Sequence, residues 1–145
     1  MTNVLHIISD TNIGGAGRVL LNYLEFYDRE KYTMAVALPR GSMLAPLIAA
    51  LGVPMHELDY MRDKSYERAA VRALTRLIRE LNPDIIHTHG ALSGRIAGRR
   101  CKKTVIFMRH TAFAPNPRFT KGLGRFIFKT INERYSTRID RKSVV

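Results

Sequence analysis

Asn3-Val4-Leu5-His6-Ile7-Ile8-Ser9-Asp10-Thr11-Asn12-Ile13-Gly14-Gly15-Ala16-Gly17-Arg18-Val19-Leu20 is the stretch that decides the fold. Residues 3–9 are nearly continuous in apolar and β-branched side chains, the pattern of a strand covered on both faces. A glycine-rich turn follows, and residues 17–26 then carry Val19, Leu20, Tyr23 and Leu24 at helical spacing. The same alternation recurs along the chain. Strands are expected over residues 33–38, 54–58, 84–89 and 104–109. Ser42 is expected to cap a helix bearing Leu44, Leu47, Ile48 and Leu51 that stops at Gly52. Ser65 is expected to cap a longer one with Glu67 in its first turn. There Ala70, Ala73, Leu74, Leu77, Ile78 and Leu81 form the inner stripe, Arg68, Arg72, Arg76 and Arg79 stay outside, and Pro83 ends it. A short helix is expected over residues 94–101. Strands that alternate with helices pair in parallel through right-handed crossovers, so the class is α/β with a doubly wound parallel sheet.

With 145 residues the chain suffices for one domain, residues 1–145, and is short for two. Its 46% hydrophobic and 25% charged residues exclude a disordered chain. No apolar run approaches the ~20 residues that span a bilayer, and the first apolar stretch lacks the basic leader of a signal peptide. A lone Cys101 excludes an internal disulfide and suits a reducing compartment, so a cytoplasmic location is expected. The net charge of +12 is segregated: ten basic and ten acidic residues balance through Gly94, whereas fourteen basic residues face only Glu133 and Asp140 afterwards. Such segregation points to a local anionic partner.

Ligands of open α/β sheets bind outside the carboxyl ends of the strands, where three segments are chemically unusual. In the first, Gly14, Gly15 and Gly17 either serve a tight turn or let a backbone approach a ligand, with the N–H groups of the helix start and Arg18 offered to an anion. This is neither the dinucleotide fingerprint nor a phosphate-binding loop ending in Gly-Lys-Ser/Thr, which disfavours a nicotinamide or ATP enzyme. In the second, His87 and His89 are two apart and share a strand face. They are open to three readings: core residues, ligand contacts, or a metal pair whose further ligands are not nearby in sequence. His87 is the better core candidate and His89 the better contact, with no metal expected. In the third, Arg109 and His110 close the fifth strand, either as an ordinary loop start or as a hydroxyl- and phosphate-recognising pair. Cys101, between Arg100 and Lys102, reads as structural.

Three signatures in order resemble the amino-terminal domain of family 4 glycosyltransferases, the retaining enzymes of GT-B fold. They are Asn12-Ile13-Gly14-Gly15-Ala16-Gly17-Arg18-Val19-Leu20, Pro83-Asp84-Ile85-Ile86-His87-Thr88-His89-Gly90 and Arg109-His110-Thr111. The likeness runs from about Val4 to Arg141. It implies a Rossmann-like domain that forms one wall of a cleft and moves a sugar from a nucleotide-sugar donor to a glycan or lipid-linked acceptor, with no metal or other cofactor. By the same resemblance, Gly14 and Gly15 lie by the donor phosphates and acceptor, and His110 approaches the transferred sugar as the catalytic residue. Gly17, Arg18, His89 and Arg109 are expected substrate contacts.

The resemblance further implies a carboxyl-terminal donor-binding domain, but the sequence ends in Lys142-Ser143-Val144-Val145. A truncated gene product is expected, ahead of a split enzyme whose donor half is a separate chain, and of a non-catalytic binding domain for an anionic glycan or lipid. Residues 112–124 read as a loop. Residues 123–139 read as a helix with Leu123, Phe126, Ile127, Ile131 and Tyr135 on one side and Arg125, Lys129, Arg134 and Arg138 around it, suited either to core packing or to the inner face of an anionic membrane. Nucleic acid is a weaker partner, since no reading motif accompanies the charge.

Overall fold

The computed structural model describes residues 1–108 and Phe126. Five strands, β1 (Thr2–Ile8), β2 (Tyr32–Pro39), β3 (Met55–Leu58), β4 (Ile85–His89) and β5 (Thr104–Met108), form one sheet in the order β3-β2-β1-β4-β5. All four pairings are parallel. The expected doubly wound α/β sheet is therefore present. The expected terminal helix and the loop before it fall outside the described residues, except that Phe126 is helical and exposed.

Alternate side chains of β1 feed two cores. Val4 and Ile8 join Met34, Val36 and Leu38 of β2 under α1 (Gly15–Phe26) and α2 (Ala45–Ala50), which supply Leu20, Leu24 and Ile48. Leu5 and Ile7 join Ile86 on the other face, under Leu74, Leu77 and Ile78 of α3 (Arg68–Leu81) and Ala97 of α4 (Leu92–Arg100). Each large aliphatic side chain buried this way stabilises the fold by roughly 1.5–3 kcal/mol. The arginine stripe of α3 is exposed, as its spacing implied.

Several local expectations are corrected. Helix α1 begins at Gly15, and α4 begins at Leu92. Ser42 precedes α2 by a turn: its hydroxyl accepts from the Leu44 N–H (3.3 Å) and donates to the Asp10 carbonyl (3.1 Å), which ties the turn to the β1 loop. Ser65 does not cap α3, whose N-cap is Glu67. Its hydroxyl donates to the Gly90 carbonyl (2.8 Å) and accepts from the Leu92 N–H (3.2 Å), so it serves the start of α4. Asn82, left-handed with φ 45°, closes α3 immediately before Pro83.

Helix α4 lies close on the sheet because Gly94 and Gly98 face it. A methyl group at Gly98 would sit 2.7 Å from Val105 and 3.3 Å from Ile86, and one at Gly94 3.0 Å from Ile7 and Thr88. Gly98→Leu should therefore push α4 off the sheet and lower stability by about 1–3 kcal/mol in chemical denaturation. An unchanged midpoint would show that the layer has room the structure does not contain.

Candidate functional site

The strand order reverses at β1. The connection from β1 runs through α1 to β2 on one side, while that from β4 runs through α4 to β5 on the other. Loops leaving β1 and β4 therefore diverge, and the gap between them is the place where open α/β sheets bind ligands. Ile8 and His89, the last residues of the two strands, are register partners, so Asn12–Gly15 and Gly90 start from adjacent points on one edge.

The glycines of the first loop differ in purpose. Gly14 is the N-cap of α1 with extended backbone angles, and neither it nor Gly15 has positive φ. A side chain added at either would meet no described atom within 4 Å. Neither turn geometry nor packing among the described residues asks for glycine there, which leaves space beside the free N–H groups of a helix start. Gly17, expected as a substrate contact, is buried instead, and a methyl group on it would come within 2.8 Å of Leu44. Its lack of a side chain brings α1 down onto the turn before α2. Arg18 is exposed on the first turn, its N–H donating to the Gly14 carbonyl (3.0 Å).

A second segment, residues 59–67, clasps this loop. The Asp63 carboxylate accepts from the Thr11 hydroxyl (2.5 Å) and the Thr11 N–H (2.8 Å), and these two bonds hold its pKa below the usual carboxylate range. Its own N–H donates to the Ser9 carbonyl (2.8 Å). The Glu67 carboxylate accepts from the Met61 N–H (3.0 Å), while the Glu67 N–H donates to Ser93 at the start of α4 (2.8 Å). Met61 (φ 76°) and Asp63 (φ 51°) are both left-handed, a conformation that costs a side-chain-bearing residue roughly 1–2 kcal/mol. These bonds offset that cost and fix one wall of the crevice. Sequence reading missed this segment, because Asp63 and Glu67 carry no motif and act only once the chain has folded back.

Both strand-end histidines are buried, as expected of His87 and not of His89. His89, proposed as the contact, is 1% exposed, with Nε2 3.0 Å from Nδ1 of His6. His87, read as core, is buried at 7% exposure and borders a cavity of about 660 Å³ together with His6, Tyr23, Met34 and Ile106. The rings pack face against face, His87 and His89 with centroids 4.6 Å apart and His6 and His89 5.3 Å apart. Burial, with the repulsion of His87 second, lowers the pKa of His6 to about 3. Arg109 and His110 lie outside the described residues. Cys101 is a free, half-buried thiol facing the Thr75 carbonyl (3.7 Å), away from the loops. Among the described residues no helix is long and apolar enough to cross a membrane.

The chain matches Glycosyltransferase Family 4 over residues 13–143 and belongs to that family. No curated protein matches the sequence. Among solved structures it is similar to MurG of Acinetobacter baumannii, at 15% identity and a TM-score of 0.67, over 94% of this chain and 40% of that one. It is similar to a glycosyltransferase from Rickettsia africae ESF-5, at 16% identity and a TM-score of 0.64, over 99% of this chain and 42% of that one. A UDP-GlcNAc 2-epimerase from Neisseria meningitidis, solved with UDP-GlcNAc bound, aligns at 11% identity and a TM-score of 0.63, over 93% of this chain and 39% of that one. The chain thus spans about 40% of the length of these proteins, and the likeness establishes the Rossmann-like α/β fold.

A buried imidazole held neutral makes the fold acid-sensitive. His6 titrates near 3 when folded and near its ordinary 6.5 when unfolded, so between these values the unfolded chain binds the extra proton. The contribution of His6 to stability is present above pH 6.5 and falls by up to about 1.4 kcal/mol per pH unit below it. Denaturation midpoints at pH 7 and pH 5 should differ in the wild-type chain, and His6→Gln should flatten the difference. An equal slope in both would remove His6 as the cause.

Proposed function

We propose that this domain supplies one wall of a glycosyltransferase cleft, in which a sugar passes from a nucleotide sugar to a glycan or lipid-linked acceptor. The carrying observation is the family match over residues 13–143 together with the space that no described residue fills at Gly14 and Gly15, on the edge where β1 and β4 part. Solved neighbours support the ligand class, one of them holding UDP-GlcNAc. In this reading the N–H groups at the start of α1 and the Arg18 guanidinium meet phosphate or sugar oxygens, and Arg109 and His110, which follow β5 in the sequence, are proposed to join them. His110 is the residue proposed to touch the transferred sugar. His89 contributes from behind, fixing the end of β4 through His6. No metal or other cofactor is required for the transfer itself, and a cytoplasmic site of action, at the inner face of the membrane, suits the basic last third of the sequence.

Catalysis in such a cleft rests on positioning and on charges aimed at the departing phosphate. The residues here form one side. Turnover is proposed to need the donor-binding half, carried on the same or a separate polypeptide. Removing a single electrostatic donor typically costs ~10²–10³ in rate, so these 145 residues alone should show no measurable transfer.

The test is release of nucleotide diphosphate from a panel of nucleotide sugars, with and without a donor-binding half from the same family. Activity should appear only in the combined sample, fall at least ~10²-fold in His110→Ala, and fall in Gly15→Val while that variant keeps the wild-type melting temperature. Turnover by the isolated chain that His110→Ala abolishes would contradict the need for a second half. Full activity in Gly15→Val would contradict the glycine-loop assignment.

A further inference from the structure

The three histidines on the α1 face of the sheet take no direct part in the proposed transfer, yet they bring one nitrogen each to a common point. We propose that His6, His87 and His89 bind one zinc-class transition-metal ion, distinct from the sugar crevice.

The sheet builds the triangle. His87 and His89 are two apart on β4 and rise from one face, and His6 is the register partner of His87 on the adjacent strand. One ligand atom from each of the three lies within 4.8 Å of the others. A tetrahedral ion with Zn–N bonds of about 2.0–2.1 Å holds its nitrogens about 3.3 Å apart. His6 Nδ1 and His89 Nε2 are already 3.0 Å apart, so drawing in the third ring asks for rotation about side-chain bonds and no movement of the paired strands.

The chemistry agrees with the geometry. A ligating imidazole must be neutral, and all three rings are buried, where the neutral form is favoured. The set is all nitrogen, with no carboxylate among the described residues of the cluster, which suits zinc, cobalt or nickel and disfavours magnesium and calcium. Nε2 of His6 lies 3.3 Å from the Met34 sulfur. A proton on Nε2 donated to that sulfur leaves Nδ1 as the lone-pair nitrogen and turns it toward His89, the way a ligating histidine is usually oriented by its other nitrogen. Three histidines leave a fourth position, which faces the side where His6, His87 and Met34 line the cavity and where a water or a small ligand would complete the shell.

Sequence reading stopped at two ligands because the third sits on a strand far away in the chain. His6 comes into range only through the β1–β4 pairing.

The test strips the full chain with a chelator and titrates it with Zn²⁺ by calorimetry and with Co²⁺ by visible absorption. One ion per chain is expected, with the intense bands of tetrahedral cobalt, no competition from Mg²⁺, and a melting temperature raised by roughly 5–10 °C at zinc a hundredfold above Kd. His87→Gln and His89→Gln should each weaken binding at least ~10-fold, and His56→Gln, on β3, should leave it unchanged. Since His6→Gln risks the fold, the wild-type titration is decisive. No zinc or cobalt bound by the wild-type chain overturns the site and leaves a purely hydrogen-bonded imidazole cluster. Binding that survives both His87→Gln and His89→Gln overturns it as well.

Discussion

The pairing of β1 with β2 on one side and β4 on the other is the constraint on which the rest of the molecule depends. Both pairings are parallel, so every strand delivers its carboxyl end to the same edge, and the reversal of order at β1 sends neighbouring connections to opposite faces. A gap must open where they part. The same pairing puts the Ile8 and His89 ends side by side and brings His6 beside His87. Crevice and histidine cluster are thus two consequences of one register, at the edge and on the face of the sheet respectively.

The glycines show how backbone space is spent differently within a few residues. Gly17, Gly94 and Gly98 are filled from outside by Leu44, Ile7 with Thr88, and Val105, and they let helices approach their neighbours closely. Gly14 and Gly15 have no such neighbour among the described residues. Around them the structure is firm: Asp63 holds Thr11 through two hydrogen bonds, and Ser42 holds Asp10 through one. The loop is braced on both sides, and no described residue fills the space beside Gly14 and Gly15.

Much of the fold was legible in the sequence because its physics is local and periodic. The apolar runs of β1 and β4 and the inner stripe of α3 can each be read within a dozen residues, and they marked the right elements. Errors arose where a residue's role depends on distant partners. Ser42 and Ser65 precede apolar stripes as caps do, but their hydroxyls bind Asp10 and Gly90 from other loops. Gly17 stands in a glycine-rich run with Gly14 and Gly15, and only the position of Leu44 sets it apart. His6 carries no motif in the sequence, and only the β1–β4 register gives it His87 and His89 as neighbours. Arg109 and His110 were read from the order of motifs rather than from contacts, and they lie outside the described residues.

The proposal on which these readings converge is that the edge between β1 and β4 is this domain's wall of the transfer cleft. A ¹⁵N-resolved amide titration of the labelled chain with a nucleotide sugar, in the presence of a donor-binding half from the same family, addresses it directly. Saturable shifts should concentrate at Asn12, Gly14, Gly15, Arg18 and Gly90, with Lys31, Asn82 and Lys103 at the opposite edge unmoved. Shifts clustered at that opposite edge, or none at Gly14 and Gly15 at saturating ligand, would contradict the assignment of the crevice.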